Sequence, residues 1–210
     1  MILLGIDEAG RGSLIGPMIV AGVVIEEDKA ELLAKLGVKD SKKLKREKRE
    51  ELFKLILYYS LSVTIVKVFP EDIDAKNLNE LTYDSVIKII QSALPFMPGR
   101  VTVDKVGKEE RVIKFIKEIG AEPNVIHNAD VLYPECSAAS IVAKVIRDKY
   151  VDTLKQKYGD FGSGYPGDDK TVDWIKQVYS VSSTPPPIIR RSWKILQEIA
   201  PNYYISKYGY

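Results

Sequence analysis

The sequence predicts an α/β protein in which strands and helices alternate along one compact chain. Short apolar runs typical of buried strands occupy residues 1–4, 17–25, 61–69, 100–103 and 124–129. Helical patterns separate the later runs, and strands joined through a crossover helix pair in parallel. The first two runs are joined only by a glycine-rich turn, so we expect them to pair inside the same sheet.

Helical spacing of apolar residues predicts the helices, and glycine or proline marks several of their ends. In the segment 45–58, for example, Leu52, Phe53 and Ile56 share one face. Pro70 is expected to stop the third strand, and Pro185 opens a proline run that breaks regular structure. The predicted helices are residues 30–36, 45–58, 77–93, 109–119, 134–158, 171–179 and 192–199.

Composition indicates a soluble protein of the cell interior, and we expect a cytoplasmic location. The 210 residues are 45% hydrophobic, which is enough for one full core. No apolar stretch approaches the ~20 residues that a bilayer span requires, and no charged region precedes the apolar N-terminus. The single cysteine, Cys136, excludes an internal disulfide and a cysteine-cluster zinc site, and we interpret it as a small buried residue.

Four acidic residues stand where predicted strands end. Asp7 and Glu8 follow the first apolar run, Asp104 ends the fourth, and Asp130 lies just beyond the fifth. Ligands of open α/β sheets gather outside strand ends, so these carboxylates predict a shared site. The alternative for Asp7 and Glu8 taken alone is a strand that ends in a glycine turn with solvated charges.

A glycine-rich turn follows the first two acids. Gly10 and Gly12 can adopt positive φ and let main-chain N–H groups approach a ligand, while Arg11 offers a planar fork for phosphate. The glycines also allow neighbouring acids to escape the alternation of a regular strand. Acids beside an anion-binding turn indicate a metal ion that bridges to phosphate.

The formal net charge is only +2, so affinity for nucleic acid must come from local clusters of basic residues. Residues 39–49 hold seven Lys and Arg residues, and residues 190–194 form a second basic cluster. The first cluster also contains Glu47, and Glu50 and Glu51 follow it, so a solvated helix with i,i+4 ion pairs is the alternative.

Six short motifs follow one another along the chain: Asp7-Glu8-Ala9-Gly10-Arg11-Gly12, Asp40-Ser41-Lys42-Lys43-Leu44, Asp104, Asp130-Val131-Leu132-Tyr133-Pro134, Ser137-Ala138-Ala139-Ser140-Ile141 and Gly164-Tyr165-Pro166. In their order and spacing these motifs resemble the type 2 ribonucleases H, and the segment 15–18 is similar to the archaeal form, ribonuclease HII. The resemblance implies a ribonuclease H-like fold, with a mixed five-stranded sheet flanked by helices and a C-terminal helical region. We expect residues 1–158 to form the catalytic core and residues 159–210 to form the helical region and tail.

The resemblance also implies the site residues and their partners. It makes Asp7, Glu8, Asp104 and Asp130 the metal-binding catalytic acids, with two Mg²⁺ or Mn²⁺ ions when substrate is bound. It implies endonucleolytic cleavage of RNA paired to DNA and of single ribonucleotides embedded in duplex DNA, leaving 5′-phosphate and 3′-hydroxyl ends. We expect a monomer. The residues expected to contact substrate are Gly10, Arg11, Gly12, Tyr165, Ser41, Lys42, Lys144 and Arg147.

Two positions depart from the family pattern and put local packing in doubt: Ser13 replaces a common proline, and Glu135 opens a pair that is usually apolar. The only histidine, His127, is interpreted as structural rather than as a general base. The segment 197–204 is faintly similar to a sliding-clamp peptide, with an ordinary packed tail as the alternative.

Two other functions stay open. Acids at strand ends also serve DNA nucleases and resolvases on the same fold. A non-catalytic nucleic-acid binder is the other alternative, although its acids would repel phosphate in the absence of a metal ion.

Overall fold

A computed structural model describes residues 1–207 of the chain, and it confirms the α/β class with a mixed five-stranded sheet. The strand order is β3-β2-β1-β4-β5, in which β1 pairs antiparallel with β2 and parallel with β4, and β4 pairs parallel with β5. The strands are β1 (Ile2–Ala9), β2 (Met18–Glu26), β3 (Ser62–Val68), β4 (Arg100–Asp104) and β5 (Glu122–Ile126).

The first strand is longer than the sequence predicts. It continues past Leu4 to Ala9, and each of its residues is paired with one on β2. Asp7 and Glu8 therefore lie within a regular strand and not in a turn beyond it. The expectation failed because Gly5 looks like a breaker, whereas it serves close packing: a Cβ on Gly5 would lie 2.1 Å from the backbone oxygen of Glu135.

Most helices agree with the predicted segments to within a few residues. Four differ. The first helix begins at Glu27, and Pro70 starts a short helix because proline is favoured in a first turn. A short helix at Ala129–Leu132 has no predicted counterpart, and the last helix covers only Leu196–Ile199. The helices are α1 (Glu27–Lys35), α2 (Arg46–Tyr59), α3 (Pro70–Ala75), α4 (Leu78–Ala93), α5 (Glu110–Glu118), α6 (Ala129–Leu132), α7 (Pro134–Tyr158), α8 (Asp169–Val181) and α9 (Leu196–Ile199).

The chain divides into two compact units. The first comprises Met1–Ala9, Ile19–Val66 and Asn79–Ile146, and it contains most of the sheet. Its core joins β1 and β2 to α1, α2 and the first part of α7, where Ala138 and Ala139 are fully buried. The prediction that a helix rich in small residues lies against the sheet is thereby confirmed.

The second unit comprises Gly10–Met18, Lys67–Leu78 and the chain from Arg147 onward. Its own core includes Leu14, Phe161 and Ile175, with Trp174 packed against them. The predicted division after residue 158 stays a prediction. Within residues 1–207, no helix combines the length and apolar character needed to cross a bilayer.

Candidate active site

Three predicted site acids meet at adjacent strands of the first unit. Ligand oxygens of Asp7, Glu8 and Asp104 all lie within 4.8 Å of one another. Strands β1 and β4 run in parallel with Ile6 opposite Val103, so the next residues, Asp7 and Asp104, come side by side. Asp7 bends back along its own strand, where its Oδ1 accepts a hydrogen bond of 2.8 Å from the Glu8 N–H. That bend is consistent with both β1 acids reaching the same cluster.

The Asp7 carboxyl group is strongly perturbed. Its side chain is only 5% exposed. Burial raises the pKa of Asp7 well above its ordinary value, and the neighbouring charges of Glu8 and Asp104 raise it further. A hydrogen bond from Ser140 opposes part of this shift. The ionised form of Asp7 is therefore energetically unfavourable until a cation compensates its charge.

The start of α6 brings Asp104 and Asp130 together: its first residue binds the Asp104 carboxylate, and its second residue is Asp130. The Ala129 N–H donates to Asp104 Oδ1 at 2.9 Å, and burial followed by the charge of Asp130 raises the pKa of Asp104. Asp130 does not follow its strand directly, as the sequence suggests, but lies in the short helix α6. It is 1% exposed, and neither carboxylate oxygen has a hydrogen-bond partner in the described chain.

The residues present fit a hard divalent cation. Oxygens of three carboxylates lie close enough together for one ion to bind all of them. The two buried oxygens of Asp130 accept no hydrogen bond from the described chain. Mg²⁺ and Mn²⁺ prefer oxygen ligands of this kind, whereas the single cysteine is buried with its thiol pKa raised well above the ordinary value by burial. Like charges this close repel unless a cation lies among them. The donor set and the orphaned oxygens both indicate a metal centre.

Lysine side chains approach the acids from the segment that follows α1 and from α7. Lys42 is largely exposed, and its Nζ lies 3.6 Å from Asp130 Oδ2. Attraction to Asp130 raises the pKa of Lys42. Lys144 instead donates to the hydroxyls of Ser41 and Ser140, and burial lowers its pKa. A phosphate contact by Ser41, Lys42 or Lys144 stays a prediction.

The glycine turn belongs to the second unit. Gly10 has φ 80°, and a Cβ there would lie 2.3 Å from Arg147 Nε and 2.9 Å from Pro17 O. The expected positive φ is therefore confirmed at Gly10. It is wrong at Gly12, which does not adopt that conformation and whose Cβ would meet only Tyr165 Cε1, at 4.0 Å. The absence of a side chain at Gly12 leaves room beside the tyrosine.

Arg147 and Tyr165 lie together in the second unit. The Arg147 guanidinium carbon is 5.6 Å from the centre of the Tyr165 ring, within cation–π range. Arg147 is buried and donates to Ser13 Oγ at 2.5 Å, while its Nη1 has no hydrogen-bond partner in the described chain. Tyr165 is 40% exposed, so one part of the ring is available to a ligand.

The two departures from the family pattern are both built into hydrogen-bond networks. Ser13 donates to Ile15 O at 2.7 Å, which ties the turn down where a proline has no donor. Glu135 is buried and accepts from Arg100 Nη2 at 2.8 Å and from Thr102 Oγ1 at 2.7 Å. The doubt about packing is thus resolved by polar contacts that fix α7 to β4.

Sequence reasoning missed Arg190 and Trp193. It placed them in a basic cluster suited to nucleic acid, but Arg190 is fully buried and donates to the backbone of the turn. Trp193 Nε1 donates to Gly12 O at 3.2 Å. The signal available in the sequence was a tryptophan close to two arginines, because a planar guanidinium can stack on an aromatic ring. In the structure the Arg190 guanidinium carbon lies 5.0 Å from the centre of the Trp193 ring.

His127 and the tail complete the set of predicted positions. His127 is exposed. In the clamp-like segment, Ala200 and Tyr203 are fully buried, and the Tyr203 hydroxyl donates to Ser182 O at 2.6 Å. The segment is therefore packed in the core of the second unit.

Comparison with known proteins gives one family. The family model described as Ribonuclease HII matches residues 4–196. The chain is 64% identical to the ribonuclease HII of Sulfurisphaera tokodaii over 99% of this chain and 100% of that protein. It is 43% identical to the ribonuclease HII of Pyrococcus abyssi over 97% of this chain and 93% of that protein.

Solved structures agree with this result. A PCNA:RNase HII complex from Archaeoglobus fulgidus aligns with a TM-score of 0.82 at 39% identity, covering 94% of this chain and 96% of that one. The ribonuclease H2 of Pyrococcus horikoshii aligns with a TM-score of 0.82 at 37% identity, covering 97% and 99% of the two chains. A Bst-RNase HIII structure in complex with Mn²⁺ shares the fold, with a TM-score of 0.72 at 18% identity over 86% of this chain and 62% of that one.

Proposed function

The chain belongs to the ribonuclease HII family, metal-dependent endoribonucleases that hydrolyse the RNA strand of RNA/DNA hybrids, and from this premise we propose how its residues act. We infer that it also cleaves duplex DNA at single embedded ribonucleotides. The products are a 5′-phosphate and a 3′-hydroxyl.

The acid cluster is the observation that carries this proposal. Asp7, Glu8, Asp104 and Asp130 together would hold two divalent ions, Mg²⁺ or Mn²⁺, once substrate adds its phosphate oxygens. Support comes from the 4.8 Å grouping of three carboxylates and from the two Asp130 oxygens that have no donor. Such ions, when bound, would supply an activated water and neutralise charge on the attacked and leaving oxygens.

The surrounding side chains bind and orient the substrate strand. Lys42 gives up Asp130 and turns its exposed ammonium group to a phosphate. Support comes from its 3.6 Å separation from Asp130, which is a loose ion pair on a flexible side chain. Lys144 stays on its two serine hydroxyls and contributes positive charge, while Ser140 keeps Asp7 in place.

The turn that follows the β1 acids in the chain selects RNA. Main-chain groups at Gly10, Arg11 and Gly12 read the ribose 2′-hydroxyl, which can donate and accept and is absent from DNA. Tyr165 stacks on the next sugar. The open space beside Gly12 and the exposed part of the Tyr165 ring support this assignment.

A sliding clamp is a proposed partner, and the monomer is the proposed working form. The relative from Archaeoglobus fulgidus was solved in complex with PCNA. In this chain Ala200 and Tyr203 are buried, so the segment 197–204 reaches a clamp only after it leaves the core.

One assay separates this function from its rivals. Duplexes with no, one or several ribonucleotides are incubated with Mg²⁺, Mn²⁺ or EDTA, and the products are sized and their ends identified. We expect cutting only where a ribonucleotide is present and a metal ion is supplied. Cleavage of all-DNA duplex would favour a DNA nuclease or resolvase, and metal-independent binding without product would favour a non-catalytic binder.

A further inference from the structure

A buried arginine forms hydrogen bonds to the backbone carbonyl groups of the glycine turn. Arg190 is 0% exposed, and its guanidinium donates to Gly10 O at 2.5 Å, Arg11 O at 2.8 Å and Gly16 O at 2.9 Å. Trp193 Nε1 adds a bond of 3.2 Å to Gly12 O. Residues 190 and 193 therefore fix the carbonyl groups of three consecutive turn residues.

These bonds also determine where the N–H groups of the turn point. The described chain has no cis peptide bond, and in a planar trans peptide the N–H points opposite to the C=O of the same unit. With the carbonyls of residues 10, 11 and 12 directed to Arg190 and Trp193, the N–H groups of Arg11, Gly12 and Ser13 face the opposite side. Within residues 1–207, the N–H groups of Gly12 and Ser13 donate to no acceptor. Successive N–H groups on one side form a site for a hydroxyl or phosphate oxygen.

The positive charges of two buried arginines near the turn also favour a phosphate oxygen as the ligand. Neither Arg190 nor Arg147 forms an ion pair with a carboxylate of the described residues, although both are buried. Burial, and then the charge of Arg147, lower the pKa of the Arg190 guanidinium to about 9. The Asp74 carboxylate opposes part of this shift, but it forms no ion pair with Arg190. The Arg147 Nη1 has no acceptor within the described chain. Two buried positive charges without a directly paired carboxylate favour an anionic ligand here.

We propose that Arg190, assisted by Trp193, is a positioning residue that sets the N–H groups of residues 11–13 for the ribose and phosphate oxygens of the substrate. It does not touch the substrate. It acts through the three carbonyl groups that it binds, and with Arg147 it makes this surface attractive to phosphate. The inference rests on the proposed function, because it assigns to the turn the reading of the ribonucleotide.

The kinetic test uses two mild variants and a neighbouring control. Arg190→Lys keeps the charge but loses the planar fork, and Trp193→Phe loses the bond to Gly12 O together with part of the ring that stacks on Arg190. Arg191→Lys is the control, because that side chain binds Tyr203 O at 2.8 Å and not the turn. On a single-ribonucleotide duplex we expect KM to rise about tenfold for Arg190→Lys and about threefold for Trp193→Phe, with kcat and the control unchanged. Unchanged KM in both variants, or a loss confined to kcat, would overturn the proposal.

Amide hydrogen exchange without substrate tests the same step independently of activity. We expect faster exchange at residues 11–13 in Arg190→Lys and in Trp193→Phe, with α8 exchanging as in the unmodified protein. Equal exchange in the turn would overturn the proposal, and if Arg190→Lys does not fold, Trp193→Phe decides it. If the unmodified protein cuts no ribonucleotide-containing duplex, the proposed function fails, while hydrogen exchange still decides whether these residues hold the turn.

Discussion

Replacing Asp7 by asparagine should stabilise the metal-free protein while it weakens metal binding. Asparagine has nearly the same shape, and its oxygen can still accept the hydrogen bond from the Glu8 N–H. What disappears is a buried negative charge that lies within 4.8 Å of two other carboxylates. The folded protein then no longer has to accommodate repulsion that a cation normally relieves.

The size of the effect follows from the separation of the charges. Two unit charges 4.8 Å apart interact by about 3.5 kcal/mol at an effective dielectric constant of ~20. Glu8 and Asp104 are partly exposed, so water and salt screen each pair, and we expect a net gain of about 2 kcal/mol for Asp7→Asn. For a chain of this length that gain corresponds to a rise in Tm of about 4–8 °C.

The pH dependence has a definite sign. The folded-state pKa of Asp7 is raised above its ordinary value, chiefly by burial. The stability that protonated Asp7 contributes is therefore fully present below the unfolded-state pKa and is lost as the pH rises through the folded-state pKa. Metal-free wild type should lose stability across this interval, and Asp7→Asn should lack that component.

Guanidinium unfolding in EDTA, followed by the same measurement with Mn²⁺, tests both parts. Asp28→Asn is the control, because Asp28 is exposed and, among residues 1–207, forms an ion pair with its neighbour Lys29 alone. We expect Mn²⁺ to stabilise wild type and the control by much more than Asp7→Asn. The reasoning is refuted if Asp7→Asn is no more stable than wild type in EDTA.

Three further changes test other parts of the site. Gly12→Ala should leave the free energy of unfolding within about 0.5 kcal/mol of wild type, because its methyl group meets only Tyr165, and should raise KM about tenfold in steady-state cleavage. Tyr165→Ala should lower cleavage at an isolated ribonucleotide more than cleavage of a long hybrid, and an equal loss on both substrates would indicate a folding defect. Arg100→Met should cost about 3 kcal/mol in chemical unfolding because it leaves the buried Glu135 charge unpaired, and Arg100→Met/Glu135→Leu should recover most of that loss.

Much of the fold could be predicted because apolar periodicity reports burial directly. The five strand segments and the long α7 were found, and apart from the end of β1 the errors at their ends are small. The sequence could not place the end of β1, because Gly5 is ambiguous: a strand glycine can mark a break or a close approach of another backbone. Only the packing of Glu135 against it shows that it is the second.

The site was predicted unevenly for a similar reason. Carboxylates beyond apolar runs are visible in the chain, and Asp7, Glu8 and Asp104 do come together. Arg190 was misplaced because sequence does not reveal which basic residue of a cluster is buried. Its role depends on carbonyl groups about 175 positions earlier in the chain, and no local pattern encodes such a contact.

The most direct test of a shared metal centre is Mn²⁺ titration calorimetry in the presence of a non-cleavable hybrid. The proteins to compare are wild type, Asp7→Asn, Glu8→Gln, Asp104→Asn and Asp130→Asn. If the four acids bind the same ions, every variant should lose at least about tenfold in Mn²⁺ affinity, including Asp130→Asn, whose carboxylate lies outside the 4.8 Å group. Wild-type affinity and stoichiometry in Asp130→Asn or Asp104→Asn would contradict a single centre built from these side chains.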